Sequence, residues 1–187
     1  MSKIKPWKLL SKKDVSVGKW FPLEERTYEL ANGKIIDDFT VTTLPDVAMI
    51  VPFMKDGTIA MCRQYKPGAA QVILEFPAGR IEAHHKNLEE TARAELKEET
   101  GMAMEDFHFF GETVTFPTKG SERINNYYVL DAVVNSEQDF DDNEEIEVVF
   151  LTPDEIEQKI KSEEINTSPT MSAWLQLKLR HPELFKK

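Results

Sequence analysis

The sequence predicts an α+β fold with a mixed or antiparallel sheet and helices packed on it. Three observations carry this. Short β-rich runs punctuated by Asn32-Gly33 and Asp56-Gly57 fill the chain before Gly79. One strongly patterned helix follows at residues 88–100. Further strand patterns then lead to two helix starts near the end of the chain.

In order, residues 15–31 read as strand, with β-rich pieces at Trp20-Phe21 and Thr27-Tyr28-Glu29-Leu30. Asn32-Gly33 is a hairpin signal, and residues 34–43 continue as strand. Val47 to Met54 is an apolar run that Asp56-Gly57 turns into Thr58 to Tyr65. Val72 to Phe76 is a short strand ended by Pro77-Ala78-Gly79. In the helix, Leu88, Ala92 and Leu96 recur on one side, while Glu90, Arg93 and Lys97 suit solvent. Gly101 is a natural C-terminal cap. Residues 105–116 and 123–134 read as strands, residues 137–145 as an acidic loop, and Ile146 to Leu151 as the last strand. Thr152-Pro153-Asp154-Glu155 and Ser168-Pro169 open the closing helices, the second running to about Arg180. A boundary near 43–46 divides an N-terminal β arm, residues 1–43, from a main domain, residues 44–187.

At 187 residues, the chain has the length of one domain with a small appendage. Hydrophobic residues at 41% and charged residues at 30% describe an ordinary globular chain. With 23 Lys+Arg against 33 Asp+Glu, the net charge of −10 repels polyanions, so neither nucleic acid nor an anionic membrane is an expected partner. A small anionic substrate stays open, because a cation or a local basic pocket compensates. Cys62 is the only cysteine, which excludes an internal disulfide and favours a reducing cytoplasm. The start carries Lys3, Lys5, Lys8, Lys12 and Lys13 without an apolar run behind them, so a solvated arm is expected rather than a secretory signal.

The informative segment is Glu95-Leu96-Lys97-Glu98-Glu99-Thr100-Gly101. At about 100° per residue, its three glutamates fall within an arc of roughly 100°. Like charges at that spacing repel, and the last turn of a helix disfavours anions. One reading is a solvated acidic face. The other is a site for a hard divalent cation, Mg²⁺ or Mn²⁺, bound through oxygens.

With Leu74-Glu75-Phe76-Pro77-Ala78-Gly79 before it and Gly101-Met102 closing it, this helix resembles the signature of the Nudix hydrolases. Two signature positions differ: the Arg falls on Ala94 and the first Glu on Lys86. The signature Gly would fall on Arg80, whereas the glycine present is Gly79, so the loop is one residue longer. Gly18-Lys19-Trp20, Arg63-Gln64-Tyr65-Lys66 and Glu144-Glu145-Ile146-Glu147-Val148 extend the resemblance to the ADP-ribose pyrophosphatase branch over residues 15–180.

The resemblance implies an α/β/α sandwich with a mixed sheet, preceded by an N-terminal antiparallel β hairpin subdomain that dimerises. It implies Mg²⁺- or Mn²⁺-dependent hydrolysis of ADP-ribose, or a related nucleoside diphosphate sugar, to AMP and ribose 5-phosphate. Glu95 and Glu99 would hold the cation, with Glu98 as a third ligand or in support, and the carbonyl of Ala78 would reach it. Glu144 is the candidate base, with Glu145 and Asp142 beside it. Trp20 and Phe39 are candidates for stacking on the base, Lys66 for a phosphate, and Arg80 for binding the substrate. Lys119 or Arg123 could approach the terminal phosphoribose. Each has an ordinary alternative: core or interface for the aromatics, plain surface for the charges. His84 and His85 are adjacent, so their rings are expected to splay. GDP-mannose, a dinucleotide, or nucleotide binding without catalysis are the competing readings.

Overall fold

The computed structural model describes residues 5–139 and 145–186, and contacts divide it into two compact units. The first contains the chain up to Pro45 together with Val114–Glu122; the second contains Asp46–Thr113 and the chain from Arg123 onward. The first unit therefore runs past the sequence boundary at 43 and takes in the Pro117–Ser121 turn. No helix among the described residues is long and apolar enough to cross a membrane.

The first unit is a three-stranded antiparallel sheet, β1 (Lys8–Asp14), β2 (Leu23–Glu29) and β3 (Ile35–Thr42), in that order. Here the sequence reading is corrected twice. Within the lysine-rich start, Lys8–Asp14 is a strand, solvent-exposed along its length, rather than a free arm: Lys8 pairs with Glu29 and Lys12 with Glu24 across the β1–β2 ladder. A polar strand of this kind is held by cross-strand charge pairs and backbone bonds, which carry no apolar alternation to read. Residues 15–22, expected to be strand, form the connection instead. It is closed by Val15 N–H on the Leu23 carbonyl and Leu23 N–H on Ser16 Oγ, leaving Trp20 and Phe21 outside the ladder. Asn32-Gly33 makes the expected turn, with Lys34 N–H donating to Asn32 Oδ1 at 3.0 Å. Trp7, Tyr28 and Phe39 pack edge to face, with centroids 5.7–5.8 Å apart, and the Lys119 ammonium lies 3.6 Å from the Phe39 ring.

The second unit is built on a mixed seven-stranded sheet. Its main path is β10 (Ile146–Leu151), β5 (Ile59–Lys66), β4 (Val47–Met54), β9 (Arg123–Ala132) and β8 (His108–Val114). β6 (Gln71–Glu75) pairs with β5, and β7 (Ala78–Arg80), a strand the sequence did not announce, pairs with β4. β4 and β9 are parallel, while β5 is antiparallel to β4, β6 and β10.

β4 explains the layers. Val47, Met49, Val51 and Phe53 enter one apolar cluster, with Phe76, Trp174 and Leu177. Ala48 and Ile50 enter the other, with Ala60, Ala92, Leu96 and Val129. A strand buried on both faces has no polar side, hence its unbroken apolar run. Helix α1 (Leu88–Thr100) covers the second face, and α2 (Pro153–Lys161) and α3 (Ser168–Arg180) cover the first. This is an α/β/α sandwich with a mixed sheet.

Candidate active site

Helix α1 is fixed at both ends. Asn87 caps its start, its side chain accepting from Glu90 N–H at 2.9 Å. Lys86 N–H donates to the Glu90 carboxylate at 2.7 Å, and Thr91 Oγ1 lies 3.1 Å from His85 Nδ1. These bonds brace the loop around Lys86 onto the first turn of the helix. Gly101 ends the helix in the left-handed region (φ 71°), donating to the Lys97 carbonyl, and a Cβ there would lie 2.4 Å from the Ser136 carbonyl oxygen. Residues 135–139 then occupy the last carbonyls: Asp139 N–H bonds that of Glu98, Gln138 Nε2 that of Glu99, and Ser136 N–H that of Gly101.

This anchoring sets two carboxylates against β7. The Glu95 carboxylate lies on Gly79, where an added Cβ would come within 1.9 Å of its Oε1. Only glycine leaves that space. Glu99 is one turn further and buried, with 6% exposure. Its Oε2 accepts from Ala78 N–H at 3.0 Å and contacts the Cys62 thiol at 3.8 Å. Burial first, and then the neighbouring Glu95, push the Glu99 carboxyl up to about 8. Glu75 faces Cys62 across the β5–β6 ladder and is ion-paired with Lys66 at 3.0 Å.

A buried carboxyl beside another is a costly arrangement. The donors on offer are oxygens: two carboxylates and the backbone of the glycine-permitted strand. That set suits a hard divalent ion of the Mg²⁺ kind, which takes one or two carboxylates and keeps its remaining positions for water and phosphate. Among the described residues no group of three or more His, Cys, Asp or Glu side chains is placed to hold a metal ion by itself.

The structure brings together Glu95, Glu99, Ala78 and, at the rim, Lys66 from the expected set. Glu98 is exposed. Arg80 ends β7 and is also exposed, its backbone pairing with Val47. Glu145 is exposed and lines an open recess of about 480 Å³ with Arg63, Tyr65 and Val72, whereas Glu144 and Asp142 lie outside the described residues. Within the first unit, Trp20 is 82% exposed, with the Lys19 ammonium 4.3 Å from its ring. Phe39 lines a cavity of about 430 Å³ with Trp7, Arg26, Tyr28 and the Pro117–Ser121 turn. Arg123 is ion-paired with Glu112. The expected splay of His84 and His85 is corrected: their rings approach to 4.1 Å between centroids, because His85 turns back to Thr91.

Sequence reasoning missed Cys62, Glu75 and Gly79 as parts of this site. Cys62 is one small residue in an apolar strand and offers no signal. Glu75 did offer one, a lone acid in the short strand Val72–Phe76. Gly79 was read as a signature position and a loop end, not as the floor under a carboxylate.

Comparison with known proteins bears on the family and the fold. The NUDIX domain family model matches residues 43–174. An ADP-ribose pyrophosphatase of Bacillus subtilis is 27% identical over 174 residues, covering 91% of this chain and 93% of the relative. A methanol dehydrogenase activator of Bacillus methanolicus is 28% identical over 182 residues, covering 96% of this chain and 97% of the relative. A mouse ADP-sugar pyrophosphatase is 34% identical over 97 residues, 46% of this chain and 44% of that protein. The solved structure of an ADP compounds hydrolase superposes with a TM-score of 0.81 at 22% identity, covering 96% of each chain, and so shares the fold. The family model spans well over half the chain and contains the whole carboxylate helix, so the chain belongs to the NUDIX family of hydrolases and its similarities set it beside the ADP-ribose pyrophosphatases.

Proposed function

We propose that this chain hydrolyses the pyrophosphate bond of ADP-ribose, or of a related nucleoside diphosphate sugar, using Mg²⁺ or Mn²⁺. The observation that carries the proposal is the pair Glu95 and Glu99, one laid on Gly79 and the other buried behind Ala78 N–H.

In this reading Glu95, Glu99 and the Ala78 carbonyl would hold the cation, with Glu98 supporting from the exposed side. The cation supplies charge neutralisation for the pyrophosphate and acidifies a water. Water adds to phosphorus and the bridging P–O bond breaks, giving AMP and ribose 5-phosphate. Ala78 N–H keeps Glu99 aimed, and Lys66 offers a positive charge to a phosphate. The proton from water passes to the acidic stretch at Glu144 and Glu145. Trp20, Phe39 and Arg80 remain the candidates for holding the rest of the substrate.

Trp20, Val17 at 98% exposure and Phe21 leave an apolar surface on the first unit. Surfaces of that kind are covered by partners. A homodimer that buries them fits the resemblance, and light scattering at micromolar concentration reads it directly.

The deciding assay is AMP release from ADP-ribose with and without Mg²⁺, alongside Glu99→Gln. Metal-dependent release that the variant loses is expected. Turnover of GDP-mannose or a dinucleotide instead would keep the chemistry and change the substrate, and no turnover of any of them would overturn the proposal. The similarity to a methanol dehydrogenase activator over almost the whole chain favours a second reading, in which the hydrolase acts on a dehydrogenase system. A rise in methanol dehydrogenase rate that Glu99→Gln fails to give would support it.

A further inference from the structure

We propose that Cys62 is a positioning residue: its thiol and Ala78 N–H together hold Oε2 of Glu99 and leave Oε1 to coordinate. The inference rests on the reading of Glu99 as a cation ligand.

β5 alternates between the two clusters. Ile59 and Met61 enter the cluster under α3, and Ala60 enters the one under α1. Cys62, two residues beyond Ala60, therefore faces α1. There its sulfur lies 3.8 Å from Glu99 Oε2, with the thiol 2% exposed. Ala78 N–H reaches the same oxygen at 3.0 Å. Two donors on one oxygen fix the carboxylate plane as well as its place. Glu75, opposite Cys62 on β6, is ion-paired with Lys66 at 3.0 Å.

A thiol suits this position. It is small and apolar enough for the wall of a core, yet it donates one weak bond. Valine would fill the space and donate nothing, leaving Glu99 with one anchor. Residues that orient a ligand affect metal affinity without touching the ion.

The direct test is the Raman S–H stretch of the full-length protein, unambiguous because the chain has a single cysteine. A band at lower frequency than a free thiol, returning to the free position in Glu99→Leu, is expected; a free-thiol band in the native protein overturns the proposal. The functional test is Mn²⁺ binding followed by electron paramagnetic resonance. Cys62→Val should weaken binding about tenfold, and Cys62→Ser, which restores a donor, should stay within about threefold of the native protein. Native affinity in Cys62→Val, or serine as weak as valine, overturns it. Should the valine variant fail to fold, Cys62→Ala makes the same comparison. Absence of Mn²⁺ binding by the native protein would sink the metal reading itself, while the Raman band would still report whether the contact exists.

Discussion

The last turn of α1 and the first turn of α2 both carry glutamates, and they obey opposite physics. Glu155 stands at the start of α2, where Thr152 N–H and hydroxyl bond its carboxylate and hold it below the usual carboxylate range. Anions belong at that end of a helix. Glu99 stands at the other end of its own helix, buried, beside a second acid, and is raised to about 8. The first glutamate stabilises the fold. The second opposes it and is positioned for a ligand. A residue type says little; its place on the helix and its burial decide which role it has.

The largest expected effect comes from breaking the second glutamate. Glu99→Gln should lower turnover of the accepted substrate by about 1,000-fold, roughly 4 kcal/mol of transition-state stabilisation, with circular dichroism unchanged. Near-native turnover would remove Glu99 from the cation site.

The pH dependence sharpens the contrast. In the metal-free protein the folded value for Glu99 lies above its ordinary 4.5, near 8. The protonated carboxyl is therefore favoured by folding. Its contribution is fully present below pH 4.5 and is lost as pH rises through 8, a change on the order of 5 kcal/mol. Glu99→Gln should thus gain stability relative to the native chain across that window. Saturating Mn²⁺ should flatten the native slope, because binding displaces the proton. Urea titrations at several pH values, with and without Mn²⁺, read both.

A smaller effect is expected from Gly79→Ala. The added methyl would displace the Glu95 carboxylate, the flexible end of a side chain, so folding should survive. Mn²⁺ affinity should fall about tenfold. Unchanged affinity would show that Glu95 does not need Gly79.

The smallest change probes α2. Thr152→Ala removes the side chain that accepts from Glu155 N–H and should lower stability by about 1 kcal/mol, leaving turnover untouched. A loss of activity there would undo the contrast.

Much of the second unit was legible. The helix over residues 88–100, its Gly101 cap and the Thr152 capping box follow from patterns within a few residues. In the first unit the hairpin around Asn32-Gly33 was legible and β1 was not, because β1 is a charged strand whose lysines are explained only by the glutamates of β2. The violation of helix rules at Glu95, Glu98 and Glu99 pointed to the candidate site. It did not say that Glu98 would face solvent and Glu99 the core.

What the sequence determined alone is local: which segments are helix or strand, where they stop, and that one helix carries acids it should not. Backbone preference, capping and periodicity act over a single turn. The tertiary structure decided the rest. It folded Ala78–Arg80 back as a strand beside β4, set Ala78 N–H against Glu99 across a separation of 21 residues, and brought Cys62 to the same oxygen across 37. Such contacts arise only when distant segments share one buried layer, so no local pattern records them.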